Sequence, residues 1–424
     1  MGDDARRSAE GAARASYGRL VAYLAAWSRD VSLAEDALAD AFRLALETWP
    51  ERGAPDRPEA WLLAVARRQM GHAARRRRLR DGLAAELERA ADEAQEAANA
   101  ARDEGDMLPD KRLELLFVCA HPAIEPAART PLMLQTVLGL DAARIASAFL
   151  TSPAAMGQRL VRAKARIREA GVPFERPDAQ SWAARLEDVL AAVYAAFGAG
   201  WDSALDADPR GRGLAEEALY LGRLLAGLLP NEPEAAGLLA LMLHCGARRE
   251  ARRSPAGAFV PLSEQDPALW SAPMIAEAER VLGRAARLGR PGRYQLEAAI
   301  QSVHAQRAVT GATRWDALCV LYDGLAALAP TVGVLVGRAA AQGEQAGPDE
   351  GLAQLDACAA DARDYQPYWA VRAHLLARAG RTAQAREAFE RAAGLSEDAS
   401  VRAFLMERRD ALERGPVRKA PAAD

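Results

Sequence analysis

Cysteine is close to absent from this sequence. Its four copies, Cys119, Cys245, Cys319 and Cys358, lie far apart and form no C-x-x-C pair. That spacing excludes a disulfide framework and a zinc ribbon, and it fits reduced thiols in the core of a cytoplasmic protein. Cys119 and His121 are near neighbours, but without a second ligand pair they read as packing residues and not as metal ligands. Aromatic residues make up only 6 % of the chain and β-branched runs are scarce, which leaves little from which to build sheets. No stretch approaches about 18 consecutive apolar residues, and the first residues, Met1 to Arg7, carry no apolar signal region. A soluble, cytoplasmic protein that does not enter the membrane is therefore expected. Charge of one sign is lacking too. The formal net charge is −3, so any surface for nucleic acid has to be a local patch. The usual catalytic signatures are also missing: no P-loop, no G-x-G-x-x-G after a strand, no H-E-x-x-H and no G-x-S-x-G. The five histidines are scattered, and His244 and His304 read as core or surface residues. The expectation is a protein that is not an enzyme and needs no metal or cofactor.

Alanine, leucine and arginine are abundant, and half of the 424 residues are hydrophobic. Such composition favours helices, so an all-α protein is predicted, long enough for two to four domains. The sharpest local pattern is at Leu140–Glu169. Asp141 is placed to cap a short helix whose apolar positions are Ile145, Ala146 and Phe149. Ser152 and Pro153 then make a good N-cap and first residue for a second helix. Met156, Leu160, Ala163 and Ile167 recur at helical spacing as its buried stripe, beside Gln158, Arg159, Arg162, Lys164 and Arg166. A tight turn followed by a helix that is apolar inside and basic outside fits a DNA-reading helix-turn-helix. An ordinary helical hairpin with a solvated basic face has the same pattern, so the flanking sequence has to separate the two.

Upstream, Tyr17, Leu20, Val21 and Leu24 predict a helix beginning near Ala13. Ser32 and Glu35 read as a capping box for the next one, with Ala37, Leu38, Ala41, Phe42, Ala45, Leu46 and Trp49 as its apolar face. Asp36, Asp40 and Arg43 lie off that face. The stretch from Pro50 to Pro58 holds three prolines and a glycine and predicts a loop. Trp61, Leu62, Val65 and Ala66 open a third helix that runs into a dense arginine cluster, Arg67, Arg68, Arg75, Arg76, Arg77, Arg78 and Arg80.

The segments Leu33–Phe42 and Ala60–Arg68, with the loop between them and the arginine run after them, resemble region 2 of bacterial sigma factors of the extracytoplasmic-function type. This resemblance implies that Asp36 and Asp40 dock on the β′ clamp helices of core RNA polymerase. It implies that the loop at Glu51–Arg57 captures a flipped promoter base, and that Arg67, Arg68, Gln69, Arg75 and Arg76 meet the −10 DNA. Promoter melting needs extruded bases held in a pocket and a basic surface beside the phosphates, so the residue types suit the task. The chain departs from many relatives at Arg68 to His72, where Gly71 weakens the helix.

Residues 81–107 are alanine-rich and acidic, with a thin apolar face, and read as a linker. Leu113, Leu116, Phe117 and Ala120 form the next stripe, which His121 and Pro122 end. The helices leading into the helix-turn-helix resemble sigma region 4, whose polymerase partner is the β flap. The resemblance implies −35 contacts by Gln158, Arg159, Arg162, Lys164 and Arg166. Arginine suits base edges and lysine suits phosphates.

Beyond Pro177 the pattern remains helical, with segments at Trp182–Phe197, Leu214–Leu229, Glu234–Arg252, Met274–Leu288 and Tyr294–Val309. Ala317, Gly351 and Ala385 are 34 residues apart, as are Leu321, Leu355 and Phe389, and Ala339 and Ala373. That period is the signature of tetratricopeptide-like helix pairs, whose groove takes a protein or peptide ligand. The blocks Leu238–Leu243 with Ala247–Arg252, Asp266–Trp270 and Gly289–Ile300 resemble sigma factors of the extracytoplasmic-function type with a long C-terminal helical-repeat extension, so the resemblance covers nearly the whole chain. The expected domains are a region 2-like domain at 10–80, the linker at 81–107, a region 4-like domain at 108–173, a helical extension at 178–412 and a disordered tail at 413–424. The expected function is promoter-specific initiation under control of the extension, with core polymerase and promoter DNA as partners. Two alternatives stay open: a helix-turn-helix regulator acting without polymerase, and a repeat scaffold whose arginine patches are incidental.

Overall fold

A computed structural model describes residues 16–53, 55, 57–81, 109–149, 151–203 and 209–414. Their regular structure is helical throughout, apart from an isolated β-bridge between Arg253 and Phe259. The protein is all-α, as its composition predicts. No helix among the described residues is long and apolar enough to cross a membrane. Of the linker expected at 81–107 only Asp81 is described, as the end of a helix, and of the tail expected at 413–424 only 413 and 414, which are helical; the rest of both, and the predicted start near Ala13, lie outside the described residues. The chain divides into two compact units, Met1–Ala218 and Leu219–Asp424.

In the first unit α1 (16–28) leads through a turn into α2 (Val31–Arg52) and α3 (Pro58–Asp81). The cap of α2 differs from the capping box read in the sequence. Asp30 is the N-cap, accepting from the Leu33 amide at 3.1 Å. Ser32 lies inside the helix, and Glu35 is used elsewhere. Pro50 also sits inside α2, not in a loop, because it is so near the end that only its own missing N–H is forfeited. The helix closes where the Gly53 amide donates to the Trp49 carbonyl at 2.9 Å, and Trp49 packs edge-on against Trp61 of α3.

α4 (Arg112–Cys119), α5 (Pro126–Leu138), α6 (Ala142–Ala148), α7 (Pro153–Glu169) and α8 (Trp182–Ser203) follow, with α9 (Pro209–Leu228) crossing the unit boundary. α1 packs on the end of α5 so closely that a Cβ on Gly18 would lie 2.1 Å from the Val137 carbonyl oxygen. α8 covers α4 and α5: Arg129 pairs with Asp188 at 2.5 Å, Thr130 donates to the Ala192 carbonyl at 3.1 Å, and Phe117 packs on Trp182.

The second unit is a series of helix pairs: α10 (Pro233–Ala247) with α11 (Ala272–Ala286), and α12 (Arg293–Ala305), followed by the short α13 (Arg307–Thr310), with α14 (Trp315–Leu328). Then α15 (Val332–Gln345) pairs with α16 (Pro348–Ala357), and α17 (Gln366–Arg378) with α18 (Thr382–Leu395), before a last helix, α19 (Ala399–Arg414). The helix predicted at Glu234–Arg252 ends at Ala247, and a 3-10 turn follows at Glu250–Arg252. The residues on the 34-residue step occupy matching places. Ala305, Ala339 and Ala373 are buried in the first helix of successive pairs, and Leu355 and Phe389 in the second. Ion pairs link neighbouring helices: Asp323 of α14 pairs with Arg338 of α15, Asp356 of α16 with Arg372 of α17, and Glu390 of α18 with Arg409 of α19. These largely exposed pairs contribute little each.

Small residues at the crossings are a steric requirement. A Cβ on Gly351 would lie 2.7 Å from the Ala339 carbonyl oxygen and 2.8 Å from Gly343 Cα. Gly351→Val is therefore expected to destabilise the second unit by about 2 kcal/mol or more through overpacking. Gly394→Ala, where nothing lies within 4 Å of the added Cβ, is expected to be neutral or slightly stabilising. Urea unfolding of both variants checks the contrast. The loop Gly289–Gly292, for which sequence alone supplies no chemistry, has a structural task. Glu234 at the start of α10 accepts from the Tyr294 and Gln295 amides at 2.9 and 3.1 Å, and so satisfies the open end of α12. A Cβ on Gly292 would collide with that carboxylate.

His244, 1 % exposed, lies 3.6 Å from the Glu279 carboxylate and beside Arg248. Burial, followed by the Arg248 charge, lowers its pKa to about 4. Burial, followed by Arg248 and Arg307, lowers that of His304 to about 4 as well. Both imidazoles are neutral in the folded chain but take up protons near pH 6.5 when it unfolds. Stability is thus full above pH 6.5 and is lost as the pH falls toward 4, by up to about 3 kcal/mol per histidine. Chemical denaturation at pH 7 and pH 5 should show the fall, and His244→Leu should flatten it. A profile unchanged by that substitution would contradict the assignment to His244.

Candidate nucleic-acid interface

The helix-turn-helix forms as its sequence dictates. Asp141 caps α6 by accepting from the Arg144 amide at 2.8 Å, and Ser152 caps α7 by accepting from the Ala155 amide at 3.2 Å, with Pro153 as first residue. Met156, Leu160, Ala163 and Ile167 are buried, and Ile145 and Ala146 of α6 pack in the same core. This fixes which side of α7 faces out. Gln158, Arg162 and Arg166 are exposed and Arg159 is half-buried.

The outer face of α7 is basic. Arg159, Arg162 and Arg166 make no ion pair among the described residues, whereas Arg223, Arg338, Arg372 and Arg381 of the second unit are each paired with a carboxylate of another helix. At the edges of the face Arg144 reaches Glu217 at 3.5 Å and Arg168 reaches Asp30 at 3.6 Å. An α-helix presenting unpaired guanidiniums is suited to meet phosphates and base edges.

Lys164, expected on the same face, is a correction. It turns inward and pairs with Glu35 of α2 at 2.6 Å, with both side chains nearly nine-tenths buried. At helical spacing Lys164 stands one position beyond the buried Ala163, so a long side chain there can be drawn in. Burial pushes the Glu35 carboxyl above its usual range, against the pull of the Lys164 charge. Burial raises the Tyr17 phenol in the same cluster, and Glu35 adds to the shift. Glu35 and Asp30 are therefore the residues that sequence reasoning missed. Each is tied to α7 by a contact that no local pattern announces.

The two acidic positions of α2 are placed together. Asp36 and Asp40 are exposed one turn apart on the outer side of the helix, with Arg43 3.6 Å from Asp40. Phe42 is half-buried. Of the expected −10 set, Arg67 is engaged by Tyr23, to whose hydroxyl it donates and over whose ring it stacks at 4.9 Å. Arg68 is exposed and Gln69 half-buried. Arg75 and Arg76 lie on α3, which continues through Gly71 to Asp81, but their side chains lie outside the described residues, as do those of Glu51 and Arg52.

Metal ligation has no support at Cys119 and His121. The Cys119 thiol contacts the Thr136 hydroxyl at 3.4 Å, and His121 Nδ1 accepts from the Ala123 amide at 3.1 Å. No group of three or more potential ligands occurs among the described residues.

Fold and site together define an all-helical protein with a helix-turn-helix whose outer face is basic and unpaired, in a chain that also carries stacked helix pairs. Comparison with known proteins adds a family. The chain is 39 % identical over 389 residues to an uncharacterized protein of Rhizobium meliloti (strain 1021), covering 92 % of each, and it belongs to the same family as that protein. A family of unknown function, DUF6596, matches residues 185–286, from α8 to the end of α11. No solved structure matches.

Proposed function

We propose that this protein is a sigma-type subunit, which joins core RNA polymerase and directs initiation at specific promoters under the control of its C-terminal helix pairs. The observation that carries this reading is the outer face of α7. Gln158, Arg159, Arg162 and Arg166 stand there free of ion pairs, on the second helix of a capped helix-turn-helix. Such a face gives salt-sensitive affinity through phosphates and selectivity through base edges. The exposed Asp36 and Asp40 on α2 supply, in the same unit, the acidic face expected to bind the β′ clamp helices. That second face favours a polymerase subunit over a regulator acting on DNA alone. The stacked pairs of the second unit offer a surface for a protein or peptide ligand, which suits control by an attached domain.

Co-purification with core RNA polymerase tests the polymerase half of the proposal. The full chain should form a stable complex. Asp40→Ala should weaken it by about tenfold, the effect of losing one charged contact of about 1.4 kcal/mol, while Arg162→Ala should leave it unchanged. Failure of the unsubstituted protein to bind core enzyme would favour the regulator reading.

A further inference from the structure

Gln158 and Arg162 flank a residue that no expectation above includes. Val161 is 64 % exposed. It stands three residues after Gln158 and four before Ala165, so these side chains share the outermost strip of α7, opposite the buried Met156, Leu160, Ala163 and Ile167. A single exposed apolar side chain is common on a protein surface. Its neighbours differ from those of Val320. Val320 of the second unit is more exposed, at 71 %, but it stands between two formed ion pairs, Arg314–Asp316 and Asp323–Arg338. Val161 stands between Gln158 and Arg162, and Arg162 makes no ion pair among the described residues. A branched residue also loses side-chain freedom in a helix and contributes nothing to the core from this position.

We propose that Val161 determines specificity by packing against the 5-methyl group of a thymine in the major groove. The inference rests on the reading of α7 as the promoter-contacting helix. An adjacent amide and guanidinium would read hydrogen-bonding edges, and the thymine methyl is the one base feature in that groove that an aliphatic side chain recognises. The unpaired cations on α7 argue for nucleic acid as the occupant of this strip, since an apolar protein partner would leave them buried without counter-charge.

The test uses the full chain bound to core polymerase, with duplexes it selects from a randomised library. Each thymine of the selected upstream element is replaced in turn by deoxyuridine, which lacks only the methyl group. One replacement should weaken binding about fourfold, the equivalent of about 0.8 kcal/mol for one buried methyl-sized group. In Val161→Ala the affinity for the thymine site should fall by a similar factor, and the same replacement should then have no further effect. A deoxyuridine penalty that is equal in both proteins, or none at any position, overturns the role of Val161 while leaving the sigma reading intact. Failure to select any upstream element overturns the sigma reading itself, and the thymine contact with it. Val161→Ala removes no buried group, and an unchanged melting temperature excludes misfolding as the cause.

Discussion

Lys164→Ala is expected to cost the first unit about 3 kcal/mol or more of stability, because it strands the Glu35 carboxylate among buried neighbours. The pair spans α2 and α7 with both side chains close to nine-tenths buried, and the second Glu35 oxygen already lacks a hydrogen-bond partner. Part of the loss is relieved when Glu35 takes up a proton, which its raised pKa makes easier. The double variant Glu35→Leu, Lys164→Met should therefore recover most of the stability, since an apolar pair of similar volume needs no charge compensation. Urea unfolding of the three proteins measures this. DNA affinity of the folded Lys164→Ala protein should change by less than about twofold, roughly 0.4 kcal/mol. Unchanged stability with a large loss of DNA affinity would mean that Lys164 faces the groove instead.

Arg162→Ala is expected to do the opposite. Its side chain is exposed and makes no ion pair, so its removal should leave unfolding within about 0.5 kcal/mol of the parent protein. Binding to a selected promoter should weaken by roughly 10- to 100-fold, the range for one bidentate arginine–base contact. Binding to a scrambled duplex should change far less. Anisotropy titrations on both duplexes, at two salt concentrations, separate the cases. An equal loss on both duplexes together with a shallower salt dependence would assign Arg162 to a phosphate, and not to a base.

The contrast between Lys164 and Arg162 shows what a sequence can reveal here. The caps Asp141 and Ser152, Pro153 and the stripe from Met156 to Ile167 are local, and each is legible from spacing and side-chain chemistry. So is the outward direction of Arg162, which follows from that stripe. The inward turn of Lys164 depends on Glu35, 129 positions away, and no periodicity encodes such a partner. The cap of α2 shows a subtler failure. Ser32 and Glu35 have capping-box spacing, yet Asp30 takes the cap and releases Glu35 to α7. Pro50 misleads because a proline run marks a loop only to within a turn of helix.

In the second unit the 34-residue step is legible where connectors are short. It fades upstream because residues 248–271 intervene between α10 and α11. That connector reaches the last helix, where Arg253 pairs with Asp398 at 3.0 Å and Phe259 packs on Phe404. The end of α7 at Glu169, just before Gly171 and Pro173, is also legible. That α8 then folds back over Phe117 and Thr130 is not, because the contacts come from Arg129, Asp188 and Ala192, which no motif connects.

In vitro transcription with purified core polymerase and a library of genomic fragments is the most direct test. With the full-length protein added, transcripts should start at a new set of positions that share one upstream and one downstream sequence element. Arg162→Ala should erase the preference for the upstream element, and Asp40→Ala should reduce all of the new transcripts together. A transcript profile identical with and without the protein would contradict the account.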